Sequence, residues 1–187
     1  MSWAPTCADR VLDDRNTTML PSSLAYSNTN DNRSNVAKWF SPLHMASSKG
    51  QTRIAEILLE HKADCNEQDG DGQTPLMHAV ASGSQDLVRL LLLRGASIGT
   101  QDRRGRSALH YAVLHRRETL LRVLLEHCSD GVERAQLIHT YDYSGRTPLH
   151  IAIDTNFGDG VLLLLQSGAN PCSRMLEKGE DSELRGQ

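Results

Sequence analysis

The apolar positions of this chain fall in short blocks that return at a fixed distance. Ile54, Ile57, Leu58 and Leu59 form the first block, and Leu87, Val88, Leu90, Leu91 and Leu92 the second. Leu120, Leu121, Val123, Leu124 and Leu125 form the third, and Val161, Leu163, Leu164 and Leu165 the fourth. Each block follows a short tag: Ser41-Pro42-Leu43-His44, Thr74-Pro75-Leu76-Met77, Ser107-Ala108-Leu109-His110 or Thr147-Pro148-Leu149-His150. The starts lie at 41, 74, 107 and 147, so the intervals are 33, 33 and 40 residues. A period of this length marks one supersecondary unit copied along the chain and stacked, which places function on a repeated surface and not in a single cleft.

Within a unit the pattern predicts two helices. Thr74 and Thr147 suit an N-cap, whose hydroxyl accepts from a free backbone N–H, and Pro75 and Pro148 suit the first helical position, where no N–H is needed. Leu76, Ala79 and Val80 recur at helical spacing as an inner stripe. Gly50 and Gly83 permit the turn into a second helix, which in repeat 2 carries Leu87 to Leu93. Gly95 falls where a left-handed residue closes a helix, and Asp71-Gly72, Arg104-Gly105 and Ser144-Gly145 bend the chain back towards the next unit. One unit cannot bury its apolar face alone, whereas four stacked units can. Leu91→Ala is therefore expected to cost about 2–5 kcal/mol.

The tags, the block endings Gly95-Ala96-Ser97 and Gly168-Ala169-Asn170, and the period resemble the ankyrin repeat over residues 41–173. The resemblance implies an all-α solenoid of four helix–turn–helix units with projecting β-hairpin turns. It also implies that partners bind the hairpin tips and the exposed, concave face of the first helices. The matching positions are Gly70, Asp71, Gln73, Ala81 and Ser82 in repeat 2 and Arg103, Arg104, Arg106, Leu114 and His115 in repeat 3. In repeat 4 they are Tyr143, Ser144, Arg146, Asp154 and Thr155.

Repeat 3 departs from the pattern with Ala108 for the proline, Arg116 for the glycine, and an insertion within 129–139. Residues 132–138 have helical composition and either lengthen the second helix or add a turn; the insertion is a tolerated loop or a recognition loop. Its place before the Thr147 start resembles the arrays of IκB-type inhibitors and some fungal transcription cofactors.

The flanks differ from the array. Residues 1–38 lack periodicity, and the polar run from Ser27 to Asn35 has almost nothing to bury, which predicts a mostly disordered segment. Trp39 and Phe40 open the array (39–173) and are expected to cover its first face, with partner anchoring as the alternative. The last repeat keeps an apolar block where a terminal repeat should be polar. Residues 174–187, with Met175, Leu176 and the tag-like Ser182-Glu183-Leu184-Arg185, either fold back as a cap or begin a degenerate fifth repeat of a longer protein. Self-association through the apolar end follows from the second reading.

Candidate chemistry is sparse. No phosphate loop, Gly-x-Ser-x-Gly elbow or His-Glu-x-x-His motif occurs, so the chain is read as non-catalytic and without a cofactor. Asp69-Gly70-Asp71-Gly72 opens like a calcium loop, but the twelfth position holds His78 or Val80, which cannot close it. His44, His110 and His150 recur at one position of the repeat and are expected to bond neighbouring turns, not a metal. Cys7, Cys65, Cys128 and Cys172 have no paired spacing, so reduced thiols are expected, and the sequons at Asn16 and Asn32 are read as chance. No apolar run approaches a membrane span and Met1-Ser2-Trp3-Ala4-Pro5 lacks a signal-peptide core, which points to an intracellular protein, cytoplasmic or nuclear.

Charge then selects among binding classes. Across 101–125, six basic residues against two acidic ones leave a net charge of +4, whereas 41–73, with three against six, carries −3. Arginines beside a tyrosine make a hot spot for an acidic protein segment, and the candidate contacts are Asp71, Gln73, Ser82, Arg103, Arg104, Arg106, His115, Tyr143 and Arg146. Nucleic acid is disfavoured, because the whole chain has a net charge of −3 and the basic zone lacks a stacking platform. The reading is a protein-interaction module acting as scaffold, adaptor or inhibitor; the alternative is a regulatory segment of a larger enzyme or transcription regulator.

Overall fold

The computed structural model describes residues 39–128 and 131–175. Four helix pairs follow one another along the chain: α1 (Pro42–Ser48) with α2 (Thr52–Glu60), α3 (Pro75–Ser82) with α4 (Gln85–Leu93), α5 (Ala108–Leu114) with α6 (Glu118–His127), and α8 (Pro148–Asp154) with α9 (Gly158–Gln166). A further helix, α7 (Gly131–Ile138), lies between the third and fourth pairs. First helices pack on first helices and second helices on second helices, so the first helices form one side of the stack, the inner side, and the second helices the other, outer side.

Local rules account for where these helices begin. The Thr74 hydroxyl accepts from the Met77 N–H at 3.4 Å, and that of Ser41 from the His44 N–H at 3.5 Å. In repeats 3 and 4 the cap is reciprocal: the N–H groups of Ser107 and Thr147 donate to Nδ1 of His110 and His150 at 3.1 and 3.2 Å. A histidine thus does what glutamate or glutamine does in a capping box. Its Nε2–H is then free to donate outward, and in His44 it reaches the carbonyls of Glu67 and Gln73 at 3.1 and 3.0 Å. His150 reaches the Ser173 carbonyl at 3.1 Å, so these two rings stitch a first helix to the following turn as expected, whereas Nε2 of His110 makes no such bond.

Helix ends depend on two columns of left-handed residues. Gly50, Gly83, Arg116 and Asn156 close the first helices with φ of 64°, 85°, 53° and 51°. Arginine and asparagine hold this conformation at a cost of about 1–2 kcal/mol that glycine avoids. Lys62, Gly95 and Gly168 close the second helices in the same way, with φ of 64°, 86° and 99°. The equivalent residue of repeat 3 is Cys128, whose φ of −73° and ψ of 88° send the chain elsewhere. The insertion therefore neither lengthens α6 nor adds a simple turn; it forms the separate helix α7. Leu137 and Ile138 of α7 are buried, and Leu137 packs so close to Gly99 that a β-carbon there would lie 3.1 Å from it.

The core is built of columns running along the stack. Leu43, Leu76, Leu109 and Leu149 form one, and Ala46, Ala79, Ala112 and Ala152 form another, whose small side chains let the helices approach closely. Leu91, Leu124 and Leu164 make a third and are fully buried, as the expected cost of Leu91→Ala requires.

The ends differ from the interior. Met45 and Ile54 are exposed in columns where Tyr111, Ile151, Leu87 and Leu120 are buried. Met45 and Ile54 stay about half exposed beside Trp39 and Phe40, which are about half exposed as well. Phe40 directly precedes the α1 N-cap, so its ring packs at the turn side, 5.5 Å from the His44 ring and 5.0 Å from that of His78. At the other end Ile153, Leu165 and Met175 are exposed. The expected disorder of residues 1–38, the sequons, Cys7, Leu176 and the tag-like Ser182-Glu183-Leu184-Arg185 lie outside the described residues.

Candidate partner-binding surface

Three turns join the units, and each is organised by one buried carboxylate. Asp69, Asp102 and Asp142 occupy the same position, and Oδ1 of each accepts the N–H groups two and four residues ahead at 2.8–2.9 Å. Gly72, Gly105 and Gly145, with φ of 78°, 75° and 72°, supply the left-handed step. Neighbouring tips are tied through the backbone: the Arg103 N–H donates to the Asp71 carbonyl at 3.1 Å, and the Tyr143 N–H to the Arg104 carbonyl at 2.8 Å. Gln68 and Gln101 add side-chain bonds across to the next turn. No strand occurs among the described residues, so these tips are carboxylate-centred turns joined by single rungs where β-hairpins were expected.

The second carboxylate oxygen distinguishes the turns. Asp69 Oδ2 accepts from His78 Nε2 at 2.8 Å. Asp102 Oδ2 accepts from Arg106 Nε and Nη2 at 3.1 and 3.0 Å and from the Tyr111 hydroxyl at 2.8 Å. Asp142 Oδ2 accepts from Arg146 Nε and Nη2 at 3.2 and 3.0 Å. The Arg106 guanidinium also lies 4.8 Å from the centre of the Tyr111 ring, and the His115 ring stacks on that tyrosine at 6.1 Å.

These contacts set the protonation states. Burial alone would raise the Asp102 pKa, but the Arg106 N–H, the Tyr111 hydroxyl, the Arg104 N–H and the Arg106 charge together hold it below the usual carboxylate value. Tyr111 is raised by burial and by its bond to Asp102. His78 is lowered because burial outweighs the bond to Asp69, and His115 by burial and by the charges of Arg117 and Arg106. Burial pushes His110 down to about 4 against the opposing pull of Asp142 and the carbonyls of Arg146 and Thr140.

The expected contact residues separate into two groups. Arg103, Arg104 and Asp71 are exposed at adjacent tips, with Tyr143 beside them at 64% exposure and its ring against Gly105. His115 and Leu114 are exposed on the inner side below. The others are partly buried and engaged within the protein. Arg106 is 15% exposed at its side chain and bound to Asp102 and Tyr111, so it is a structural group and not a free contact. Arg146 is shared between Asp142 and Asp154, Ser82 bonds to the Ala79 carbonyl, and Gln73 is half-buried with both backbone groups engaged. Arg116 and Arg117 are clips: one reaches forward to the Asn156 carbonyl at 3.3 Å, the other back to the Ala81 carbonyl at 3.4 Å. Sequence reasoning missed the Asp102–Arg106–Tyr111 network, whose signal is an aspartate followed by donors at its fourth and ninth positions.

The family model for ankyrin repeats, in three copies, matches residues 16–102 and 90–175, far more than half of the chain. The chain belongs to the ankyrin-repeat family. Ankyrin repeats serve in general as protein–protein interaction modules, and domains built from them are typically non-catalytic. No curated protein matches this ankyrin array. Among the described residues, no helix is long and apolar enough to cross a membrane, and no three His, Cys, Asp or Glu side chains converge as metal ligands. Among the described residues the thiols of Cys65 and Cys172 are free, and that of Cys128 is buried against the Leu124 carbonyl at 3.3 Å.

Proposed function

We propose that this ankyrin array binds a partner protein through the tips of repeats 3 and 4 and the adjoining inner face, and that the segment it takes is acidic. The observation that carries the reading is the difference between four arginines at two tips. Arg106 and Arg146 are bound to internal carboxylates, whereas the side chains of Arg103 and Arg104 are exposed and have no carboxylate partner among the described residues. Unpaired guanidinium groups next to an exposed tyrosine favour carboxylates, which they bind in bidentate fashion. His115 and Leu114 extend the surface with a largely neutral ring and an aliphatic group, suited to the apolar residues of the same segment. Such a module works by holding its partner, as scaffold, adaptor or inhibitor.

The test is affinity capture from native extract with wild-type protein and the Arg103→Glu/Arg104→Glu variant in parallel. Both side chains are exposed, so the variant is expected to keep the wild-type unfolding midpoint and to lose the main partner. Equal recovery of that partner by both proteins overturns the assignment.

A further inference from the structure

The outer side of the second helices carries features that the repeat does not need. In one column α2, α6 and α9 place Glu60, Glu126 and Gln166, but α4 places Leu93, which is 82% exposed while Leu91 and Leu92 beside it are buried. Leu93 contributes nothing to the core. It borders a groove of about 320 Å³ between α4 and α6, with Leu92 and Val123 in its floor and Arg89 and Glu126 on its rim. A second groove of about 180 Å³ lies between α6 and α9, floored by Leu125 and Leu163 and rimmed by Arg122, Arg134 and the same Glu126.

The polar groups of this face favour a negatively charged occupant. Arg89 is exposed and has no carboxylate partner among the described residues. Arg134 gives one N–H to the Cys128 carbonyl at 2.7 Å and lines the second groove. Arg122 is paired only with Glu118 of its own helix, at 3.2 Å in an exposed position where such pairs are weak. Three arginines and one glutamate therefore line the two grooves, with Glu118 beside Arg122, and the floors between them are aliphatic.

We propose that this outer face is a second docking surface, and that it takes an acidic amphipathic helix of a partner protein, lying across α4, α6 and α9 with one leucine-like side chain in each groove. Neighbouring helices pack about 8–10 Å apart, so the two grooves are separated by a similar distance. Residues i and i+7 of a helix lie on one face about 10.5 Å apart. An extended strand covers that distance in about three residues, which puts the two side chains on opposite faces, so a helix fits and a strand does not. Carboxylates flanking the two anchors meet Arg89 and Arg134, and a basic residue between them meets Glu126. This surface shares no residue with the tips of repeats 3 and 4, so the array holds two partner segments at once and acts as an adaptor.

The test uses the full chain and a fluorescent synthetic helix of about 18 residues, rich in alanine and glutamate, with leucines seven positions apart and one central lysine. Anisotropy titration to about 1 mM is expected to show saturable binding to wild-type protein and to Arg103→Glu/Arg104→Glu alike. Binding to Leu93→Glu, which restores the residue type of Glu60 and Glu126, is expected to be at least tenfold weaker, and Arg89→Glu is expected to weaken it as well. Leu93 is exposed, so circular dichroism and the unfolding midpoint of that variant should match wild type. No saturable binding, equal binding by Leu93→Glu, or loss only in the tip variant would overturn the proposal. So would concentration-dependent self-association that Leu93→Glu abolishes, because the occupant would then be a second copy of this chain.

Discussion

The turn at Asp69 and the turn at Asp102 share one backbone and differ in what the second carboxylate oxygen holds. At Asp69 the partner is His78, a single donor that is neutral near pH 7 because burial lowers its pKa. At Asp102 the partners are a guanidinium and a phenol, which bind the carboxylate and each other at 2.8–3.1 Å. The repeated backbone needs only Oδ1, so Oδ2 is free to be specialised from one unit to the next. In repeat 3 it anchors Arg106 and Tyr111, and the Tyr111 ring lies between the Arg106 guanidinium and the His115 ring.

The largest expected effect separates these two turns. In Asp102→Asn the amide keeps the Oδ1 bonds but turns a donor towards Arg106, which has no acceptor to offer. Breaking this buried pair is expected to cost about 3–5 kcal/mol. In Asp69→Asn the imidazole can move its proton to Nδ1 and accept at Nε2, so a loss of only about 1 kcal/mol is expected. Urea unfolding of the two variants measures both values, and similar costs would show that Oδ2 matters equally in the two turns.

The next effect is on pH dependence. His110 has its pKa pushed from 6.5 to about 4, so the unfolded chain binds this proton before the folded one does. Stability is therefore lost as pH falls from 6.5 towards 4, by about 3 kcal/mol in full. His78, also lowered, acts in the same direction from 6.5 downwards. Asp102, held below 3.8, contributes stability that disappears only at still lower pH. Repeat 2 has Met77 where repeat 3 has His110, so His110→Met should remove most of the loss between pH 7 and 4.5 in urea titrations. An unchanged loss would assign it to other groups.

The smallest effect concerns the left-handed column, where repeat 2 has Gly83 and repeat 3 has Arg116. Arg116→Gly relieves a backbone cost of about 1–2 kcal/mol and forfeits only a long, exposed bond to the Asn156 carbonyl. Thermal unfolding is expected to show a gain of about 0.5–1 kcal/mol. A lower midpoint would mean that the forward clip outweighs the strain.

Much of the fold was legible because it follows local rules. Thr74 as a cap, Pro75 after it, and Gly83 and Gly95 as left-handed stops are dictated by the hydrogen-bonding and steric needs of a few adjacent residues. The candidate surface was legible only in part. Arg103 and Arg106 look alike in sequence, yet one projects from a tip and the other is bound inside, because position along a tight turn decides which side chain meets Asp102. Leu93 reads as part of an apolar block, and only the rotation of α4 against α6 shows that it points outward. Trp39 and Phe40 have the composition of a cap, and only the structure shows that the Phe40 ring packs against His44 and His78.

By itself, the sequence determined the repeat, its phase and the four units that the described residues contain, since periodicity and capping are properties of short stretches. Tertiary structure alone decided that the insertion becomes α7, which arginines are free, and that the second helices present two basic-rimmed grooves. Each of these depends on which side chains from different repeats come within about 4 Å, the range over which contacts act, and that is settled only when the units stack.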